Sequence, residues 1–175
     1  PATATQIADK YAAARPNVIV AIATTSAQSA VSRASNIPVI FSAVTDPLAA
    51  KLVDSVERPN GFVSGVSDLS PVKQQLELIK EILPAAETLG IIYSAGEGNS
   101  VSIVNLVKEN ALDAGFSEVK EAVVVLASEV ATAARNLVGS VDAIYVPTDS
   151  TVVSALASVV EIGQENSLPV FSGDT

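Results

Sequence analysis

Short runs rich in Val and Ile alternate along this chain with longer, Ala-rich stretches that have apolar residues at helical spacing. The runs at 17–23 (NVIVAIA), 38–44 (PVIFSAV), 89–93 (LGIIY) and 141–146 (VDAIYV) are almost continuously apolar. Such runs are typical of parallel strands covered on both faces. A strand and a helix recur about every 25 to 30 residues, as in βαβ units. The pattern predicts an α/β fold of Rossmann-like parallel sheets flanked by helices.

Helices are predicted where apolar residues recur at every third or fourth position. The first helix has Ile7, Tyr11 and Ala14 on one face, and Ser70 followed by Pro71 is typical of an N-cap and a first helical residue. We expect Thr or Ser to cap the helix that follows residue 23. The predicted helices are 2–15, 24–34, 46–53, 71–83, 99–114, 128–138 and 151–165, and further strands are predicted at 62–68, 119–126 and 169–172.

Charge is distributed unevenly over the chain, whose net charge is −9 from 19 acidic and 10 basic residues. Residues 1–69 carry five acidic and five basic residues. Residues 70–175 carry fourteen acidic and five basic residues, so the whole net negative charge lies there. Chance variation of a solvated surface is one explanation. A Pro/Gly turn just before residue 65 favours the other, which is two lobes that meet near 65–70. We place the boundary between residues 66 and 67.

The composition excludes several classes of function. The 175 residues contain no His and no Cys, so there is no Ser-His-Asp triad, no Cys nucleophile, no disulfide and no zinc site of the usual kind. A sequence pI near 4.3 without a basic stripe makes nucleic acid a poor partner. No run of about 18 apolar residues is present, so the sequence predicts no membrane-spanning helix. We predict no catalytic residue, because a general base in the useful range is missing and no close pair of carboxylates follows the strands. We also predict no cofactor and no metal.

Ligands of doubly wound sheets bind at the carboxyl ends of the strands, so the residues after each strand are the candidates. In the first half these are hydroxyl-bearing: Thr24, Thr25 and Ser26 after the first strand, and Thr45 after the second. Beside a helix N-terminus they could hold a carboxylate or a phosphate. Ordinary N-capping explains any one of them, and for Asp46 we favour capping.

In the second half the candidates are acidic or aromatic. Asp149 follows a strand and precedes a helix, so capping and an interaction with a ligand ammonium are equally open. Asp174 has the same ambiguity. Tyr93 ends a strand, whereas Tyr145 lies inside one and is expected in the core. The loop 96–100 (GEGNS) resembles a phosphate loop only loosely, because the third Gly of that motif is missing.

Several motifs resemble one known family. The chain is similar to ABC-transporter substrate-binding proteins of the type that captures tryptophan and tyrosine. The similarity spans nearly the whole sequence and is carried by 22–24 (IAT), 41–47 (FSAVTDP), 65–72 (GVSDLSPV), 96–100 (GEGNS) and 146–149 (VPTD).

This resemblance implies a type I periplasmic-binding fold, in which two Rossmann-like lobes hold a ligand in the cleft between them. Residues 1–66 would be part of the first ligand-binding lobe and 67–175 most of the second, with the fold incomplete at both ends. It implies a non-catalytic component of an ABC importer outside the cytoplasm, in the periplasm or anchored as a lipoprotein. Its partners would be an ABC permease and an amino acid, with an aromatic amino acid as the expected ligand.

The resemblance also implies ligand contacts. In the first lobe, the donors to the ligand carboxylate would be Thr24, Ala27, Ala43 and Thr45. In the second lobe, Asp149 would accept from the α-ammonium, with Asp174 as a weaker candidate. Tyr93, Asn99 and Ser100 would line the wall of the second lobe.

Other functions stay open at this point. The effector-sensing domain of a LacI-like transcription regulator can share the fold, and a basic helix-turn-helix preceding it would be the discriminating feature. A Rossmann-like enzyme that binds a nucleotide is a weaker alternative. Unpaired sheet edges also predict self-association of such a half-fold.

Overall fold

Helices and strands alternate along the chain in the computed structural model, which describes residues 2–59 and 61–173. The elements are α1 (Ala2–Ala14), β1 (Ile19–Ile22), α2 (Thr24–Arg33), β2 (Val39–Val44), β3 (Val63–Ser67), α3 (Val72–Ile82), β4 (Thr88–Ser94), α4 (Gly98–Ala111), β5 (Glu118–Val124), a 3₁₀ turn (Ala127–Glu129), α5 (Val130–Leu137), β6 (Ala143–Val146), α6 (Ser150–Val153), α7 (Leu156–Glu165) and β7 (Val170–Ser172). All strand pairs are parallel. The predicted α/β fold with parallel sheets is therefore confirmed.

The chain divides into two compact units, Pro1–Leu69 (unit 1) and Ser70–Thr175 (unit 2). Unit 1 has a three-stranded sheet in the order β1-β2-β3. Small residues of α2 pack on one face of this sheet, with Ala27 and Ala30 against Val39 and Phe41. Burial of these apolar side chains is the main favourable contribution to folding of the unit.

The other face of the unit 1 sheet is not covered by the described residues. Val20 and Ile22 of β1 are 65% and 66% exposed, while Ile19 and Ala21 are buried. The prediction that the first strand is covered on both faces is therefore wrong here. The predicted stripe of α1 is also exposed at Ile7 and Tyr11, and the helix buries Ala8 instead.

A close backbone approach joins β2 to β3. The pairing shifts register between Phe41 and Val44, which is a β-bulge. Opposite Phe41 lies Gly65, where a Cβ atom would be 2.1 Å from the Phe41 carbonyl oxygen and 2.5 Å from its ring. Only glycine fits this position, since that distance is far below van der Waals contact.

Unit 2 has a four-stranded sheet in the order β5-β4-β6-β7, with helices on both faces. Leu89, Ile91 and Tyr145 face α3 and α4, and Ile92 and Ile144 face α5 and α7. The strand after β4 in the chain, β5, pairs with β4 on one side. The next strand, β6, pairs with β4 on the other side, and β7 follows beside β6. The carboxyl ends of the adjacent strands β4 and β6 thus form the topological switch point of the sheet.

Two predicted helices differ in the structure. Residues 46–53 form turns: Ala50 N–H donates to Asp46 O at 2.9 Å, but Lys51 at φ 56° ends the helical path after a single turn. The predicted helix 151–165 is two helices, α6 and α7, because Ala155 has the non-helical angles φ −120° and ψ 16°. Both breaks depend on single backbone conformations that apolar periodicity does not report.

The predicted capping residues are also wrong at two helices. The N-cap of α2 is Ala23, and no side chain of Thr or Ser caps it. The N-cap of α3 is Pro71 rather than Ser70, again without a side-chain hydrogen bond. Asp46 Oδ1 accepts the N–H groups of Leu48 and Ala49, as a capping residue would, but it closes only the single turn described above and not the predicted helix.

Across the described part of the chain, no helix is both long enough and apolar enough to span a bilayer.

We expect Gly65→Ala to lower the free energy of unfolding of unit 1 by about 2 kcal/mol or more, because the added methyl group forces β3 away from β2. Urea unfolding followed by circular dichroism measures the change. Gly98→Ala is the matched control: no atom lies within 4 Å of its Cβ position, so stability should stay the same or rise slightly. Equal stability of Gly65→Ala and the parent would contradict the steric argument.

Candidate functional site

The carboxyl end of β1 in unit 1 has an unusual backbone. Ala23, between β1 and α2, has φ 70° and ψ 156°, a region that is almost restricted to glycine. Its N–H donates to Ser42 O at 3.0 Å, which fixes it against β2. No side chain caps α2, so N–H groups of its first turn remain available to an anion.

The end of the neighbouring strand β2 is strained as well. Ala43 has φ 52° and lies in the bulge opposite β3. Two alanines in left-handed backbone conformations therefore lie at adjacent strand ends. Such outliers cost about 1–3 kcal/mol each and persist where the surrounding structure enforces them, which is common at binding sites.

Two buried hydroxyl groups accompany the strained alanines. Thr24 and Thr45 are only 4% and 3% exposed. Ala43 is exposed. Ala27 is fully buried and its N–H donates to Ala23 O at 3.0 Å. Of the four predicted carboxylate contacts, Thr24, Ala43 and Thr45 thus lie at the strand ends, and Ala27 lies in the core below them.

Asp149 of unit 2 is a buried carboxylate at the end of β6. It is 1% exposed, and its Oδ2 accepts the Ser94 N–H at 2.6 Å while Oδ1 accepts the Val152 N–H at 2.8 Å. The capping role that we considered is therefore present. A carboxylate has about four acceptor positions, so two remain for a further donor.

Glu97 links the segment after β4 to the start of α6, beside Asp149. Its carboxylate accepts the N–H groups of Ser150 and Thr151, both at 2.9 Å, and the Thr151 hydroxyl at 2.7 Å. Burial raises the pKa of this carboxyl and is the largest single influence. The hydrogen bonds from Thr151 and Ser150 together outweigh it, so the pKa of Glu97 is lowered from its ordinary 4.5.

The remaining predicted residues of unit 2 have structural partners. Asn99 Nδ2 donates to Thr148 O at 2.7 Å and lies 3.5 Å from Oγ of the fully buried Ser100. The Tyr93 hydroxyl donates to Glu121 at 2.7 Å; that hydrogen bond, followed by burial, raises the pKa of Tyr93. Asp174 lies outside the described residues.

The structure thus brings Asn99, Ser100 and Asp149 together at the switch point, and it directs the Tyr93 hydroxyl towards β5. Glu97 was not among the predicted residues. The adjacency of the loops after β4 and β6 could have indicated it, but that adjacency follows from strand order, which the sequence does not state. Within the described ranges, no three His, Cys, Asp or Glu side chains are grouped as a metal would require.

Comparison with known proteins decides the family. The family model described as ABC transporter substrate binding protein matches residues 1–175. A tyrosine-binding protein of Clostridioides difficile is 40% identical over 172 residues. The chain belongs to the ABC transporter substrate-binding proteins. This membership confirms the family resemblance of the motifs and favours a substrate-binding role over that of a LacI-like regulator.

Solved structures of similar proteins agree with this fold. A conserved domain protein from Vibrio cholerae superposes with a TM-score of 0.94 at 42% identity. An ABC domain from Streptococcus pneumonia in complex with L-Trp superposes with a TM-score of 0.93 at 36% identity. The chain is covered to 98% in all three comparisons, and it spans 50% of the length of the C. difficile relative and 58% of each solved chain.

The strain at Ala23 predicts a stabilising glycine substitution in this family member. Ala23→Gly should raise the free energy of unfolding by about 1 kcal/mol, since relief of strain exceeds the added entropy of the unfolded chain. In the same strand, Ala21→Gly should lower it by about 1 kcal/mol. Urea unfolding of both variants measures the difference, and equal losses in the two would show that Ala23 is unstrained.

Carboxylates that bind backbone N–H groups predict acid lability of unit 2. Asp142 accepts the Thr88 and Glu87 N–H groups, at 2.8 and 2.7 Å, which lower its pKa from 3.8, and Glu97 is lowered from 4.5. A folded pKa below the unfolded one contributes stability that is full above the unfolded value and is lost as the pH falls through the folded one. Stability should therefore fall below about pH 4.5.

Urea unfolding over a series of pH values measures this dependence. Asp142→Asn should cost about 0.5–1.5 kcal/mol at neutral pH and make the acid dependence shallower. Glu161→Gln, at an exposed position of α7, is the control and should leave the dependence unchanged. An Asp142→Asn profile parallel to that of the parent would contradict the role of this carboxylate.

Proposed function

We propose that the chain binds a small amino-acid-like ligand through its carboxylate and its ammonium group, without chemical change of the ligand. The single observation that carries the proposal is Asp149, a carboxylate that is 1% exposed, is oriented by two backbone N–H groups and forms no ion pair with any Lys or Arg of the described ranges. A buried charge is costly unless it is paired and hydrogen-bonded, so this carboxylate suits a ligand ammonium. In unit 1, Thr24 and Thr45 lie beside the uncapped N-terminus of α2, a place that suits a ligand carboxylate.

Unit 1 carries groups that suit a ligand carboxylate. The Thr24 and Thr45 hydroxyls can each donate one hydrogen bond, and the first turn of α2 adds backbone N–H groups and its positive dipole end. The strained conformation of Ala23 directs the chain from β1 into α2 without placing a capping side chain over these groups. Ala43, exposed in the neighbouring bulge, allows a ligand to approach the backbone.

Unit 2 carries groups that suit a ligand ammonium. Asp149 is a buried carboxylate, and no Lys or Arg of the described ranges forms an ion pair with it. Its two backbone hydrogen bonds fix the orientation of the carboxylate and leave acceptor positions for a ligand donor. Asn99 is placed beside it through Thr148. Tyr93 would contribute its ring rather than its hydroxyl, which is already bonded to Glu121.

An aromatic amino acid is the ligand class that the relatives support. One is named a tyrosine-binding protein and another was solved with L-Trp, at 40% and 36% identity to this chain. For the whole protein we propose a non-catalytic, extracytoplasmic component of an ABC importer that delivers its ligand to a permease. Family membership supports this role. Self-association through the edge strands stays a prediction.

Calorimetric titration with L-tryptophan, L-tyrosine and L-phenylalanine tests the proposal. We expect binding of at least one of them, and a loss of about 10- to 100-fold in affinity for Asp149→Asn, the effect of a charge-assisted hydrogen bond of about 1.5–3 kcal/mol. Thr45→Val should lose roughly 3- to 10-fold, which corresponds to one neutral hydrogen bond.

Ligand analogues test the groups of the two units separately. Tryptamine lacks the carboxylate, so its affinity should be insensitive to Thr45→Val, and indole-3-propionate lacks the ammonium, so its affinity should be insensitive to Asp149→Asn. Glu161→Gln serves as the surface control. Absence of binding heat for all three amino acids, in a chain with the circular dichroism of an α/β protein, would contradict the proposed function.

A further inference from the structure

The loops that follow β4 and β6 are linked in both directions. The strands lie side by side, with Leu89 paired to Ala143 and Ile91 to Tyr145. At their carboxyl ends, Asp149 of the second loop accepts the Ser94 N–H of the first strand. Glu97 of the first loop accepts N–H groups at the start of α6, which follows the second loop. Each loop therefore contributes one carboxylate to the other.

Glu97 holds the residues on the C-terminal side of Asp149. It satisfies the N–H groups of Ser150 and Thr151 and the hydroxyl of Thr151, at 2.7–2.9 Å. On the N-terminal side, Asn99 holds the Thr148 carbonyl at 2.7 Å. The backbone around Asp149 is thus fixed on both sides by side chains from the β4–α4 segment.

No other described group takes over this function. The helix α6 has only four residues, too few to maintain its own geometry by internal hydrogen bonds. Asp149 binds the Val152 N–H, but the two preceding N–H groups are bound by Glu97. Without the Glu97 carboxylate these donors would need water, and the direction of the Asp149 side chain would no longer be fixed.

We propose that Glu97 is a positioning residue for ligand binding: it contacts no ligand, and it holds residues 150 and 151 so that Asp149 keeps the orientation required to accept a ligand ammonium. The proposal rests on the proposed function, because it assigns to Glu97 the arrangement of the ammonium side. It adds a residue whose influence on affinity passes entirely through Asp149.

A double-mutant cycle of Glu97→Gln and Asp149→Asn, with L-tryptophan as the titrant, tests this inference. Gln keeps the size of the side chain but replaces one acceptor by a donor, so we expect Glu97→Gln to weaken binding about tenfold. In the Asp149→Asn background the same change should have little further effect, since residues that act as one unit are not additive. Additive losses would overturn the positioning role.

Two further measurements separate positioning from general loss of structure. Affinity for indole-3-propionate, which has no ammonium group, should be unchanged in Glu97→Gln, whereas a general weakening of the unit would lower it too. Amide hydrogen exchange without ligand should become faster at Ser150 and Thr151. Unchanged exchange at both residues would show that Glu97 does not hold the loop, and would overturn the inference.

The control and the order of measurements keep the two proposals distinguishable. Glu161→Gln removes the same charge from an exposed position of α7 and should leave affinity and exchange unchanged. If the parent binds L-tryptophan and Glu97→Gln binds it equally well, the inference is wrong and the proposed function stands. If the parent binds no amino acid in the titrations above, both are wrong.

Discussion

Aspartates hold the central strand pair of unit 2 at both of its ends. The register of β4 and β6 comprises only three residue pairs, from Leu89↔Ala143 to Ile91↔Tyr145. Before this pairing, Asp142 binds the N–H groups of Glu87 and Thr88; after it, Asp149 binds the N–H of Ser94. A buried N–H group such as that of Ser94 would cost about 1–3 kcal/mol without a partner. Asp149 prevents that cost at the switch point, and Asp142 binds the exposed N–H groups at the opposite end of the strand pair.

In unit 1, backbone conformation rather than side-chain carboxylates orders the strand ends. Gly65 allows β3 to approach β2 at the bulge, and the bulge sets the left-handed conformation of Ala43. Ala23 adopts a conformation that alanine rarely accepts, and its N–H is held by β2. Few side chains contribute polar atoms here, so the chemistry of this end is that of N–H groups and hydroxyls. The two units therefore offer opposite polarity by different physical means.

The sequence predicts the order and type of most elements, because buried strands are continuous apolar runs and the helices repeat small apolar residues at regular spacing. It fails where one backbone angle decides, as at Lys51, which ends the turn after β2, and at Ala155, which separates α6 from α7. It also fails for the outer face of β1, where Val20 and Ile22 are exposed, since an apolar run does not reveal what covers it.

The residues of the candidate site could be predicted from the sequence only in part. Strand ends are predictable, so Thr24, Thr45, Asn99 and Asp149 were expected there. The two possible roles of Asp149 could not be separated, because capping and ligand binding use the same residue type at the same place. Glu97 could not be found, since its partners lie more than fifty residues away along the chain.

The links made by Asp142, Asp149 and Glu97 also determine how the fold responds to salt. The ion pairs of the described ranges, such as Lys108–Glu121 and Lys120–Glu118, lie at exposed or partly exposed positions, where such pairs contribute little. Carboxylate–amide contacts shorter than 3 Å lie well inside the Debye length of about 8 Å at physiological ionic strength, so dissolved ions screen them weakly. The acidic surplus of unit 2 is repulsive, and added salt reduces that repulsion. A chain built in this way keeps its loops in place over a wide range of ionic strength.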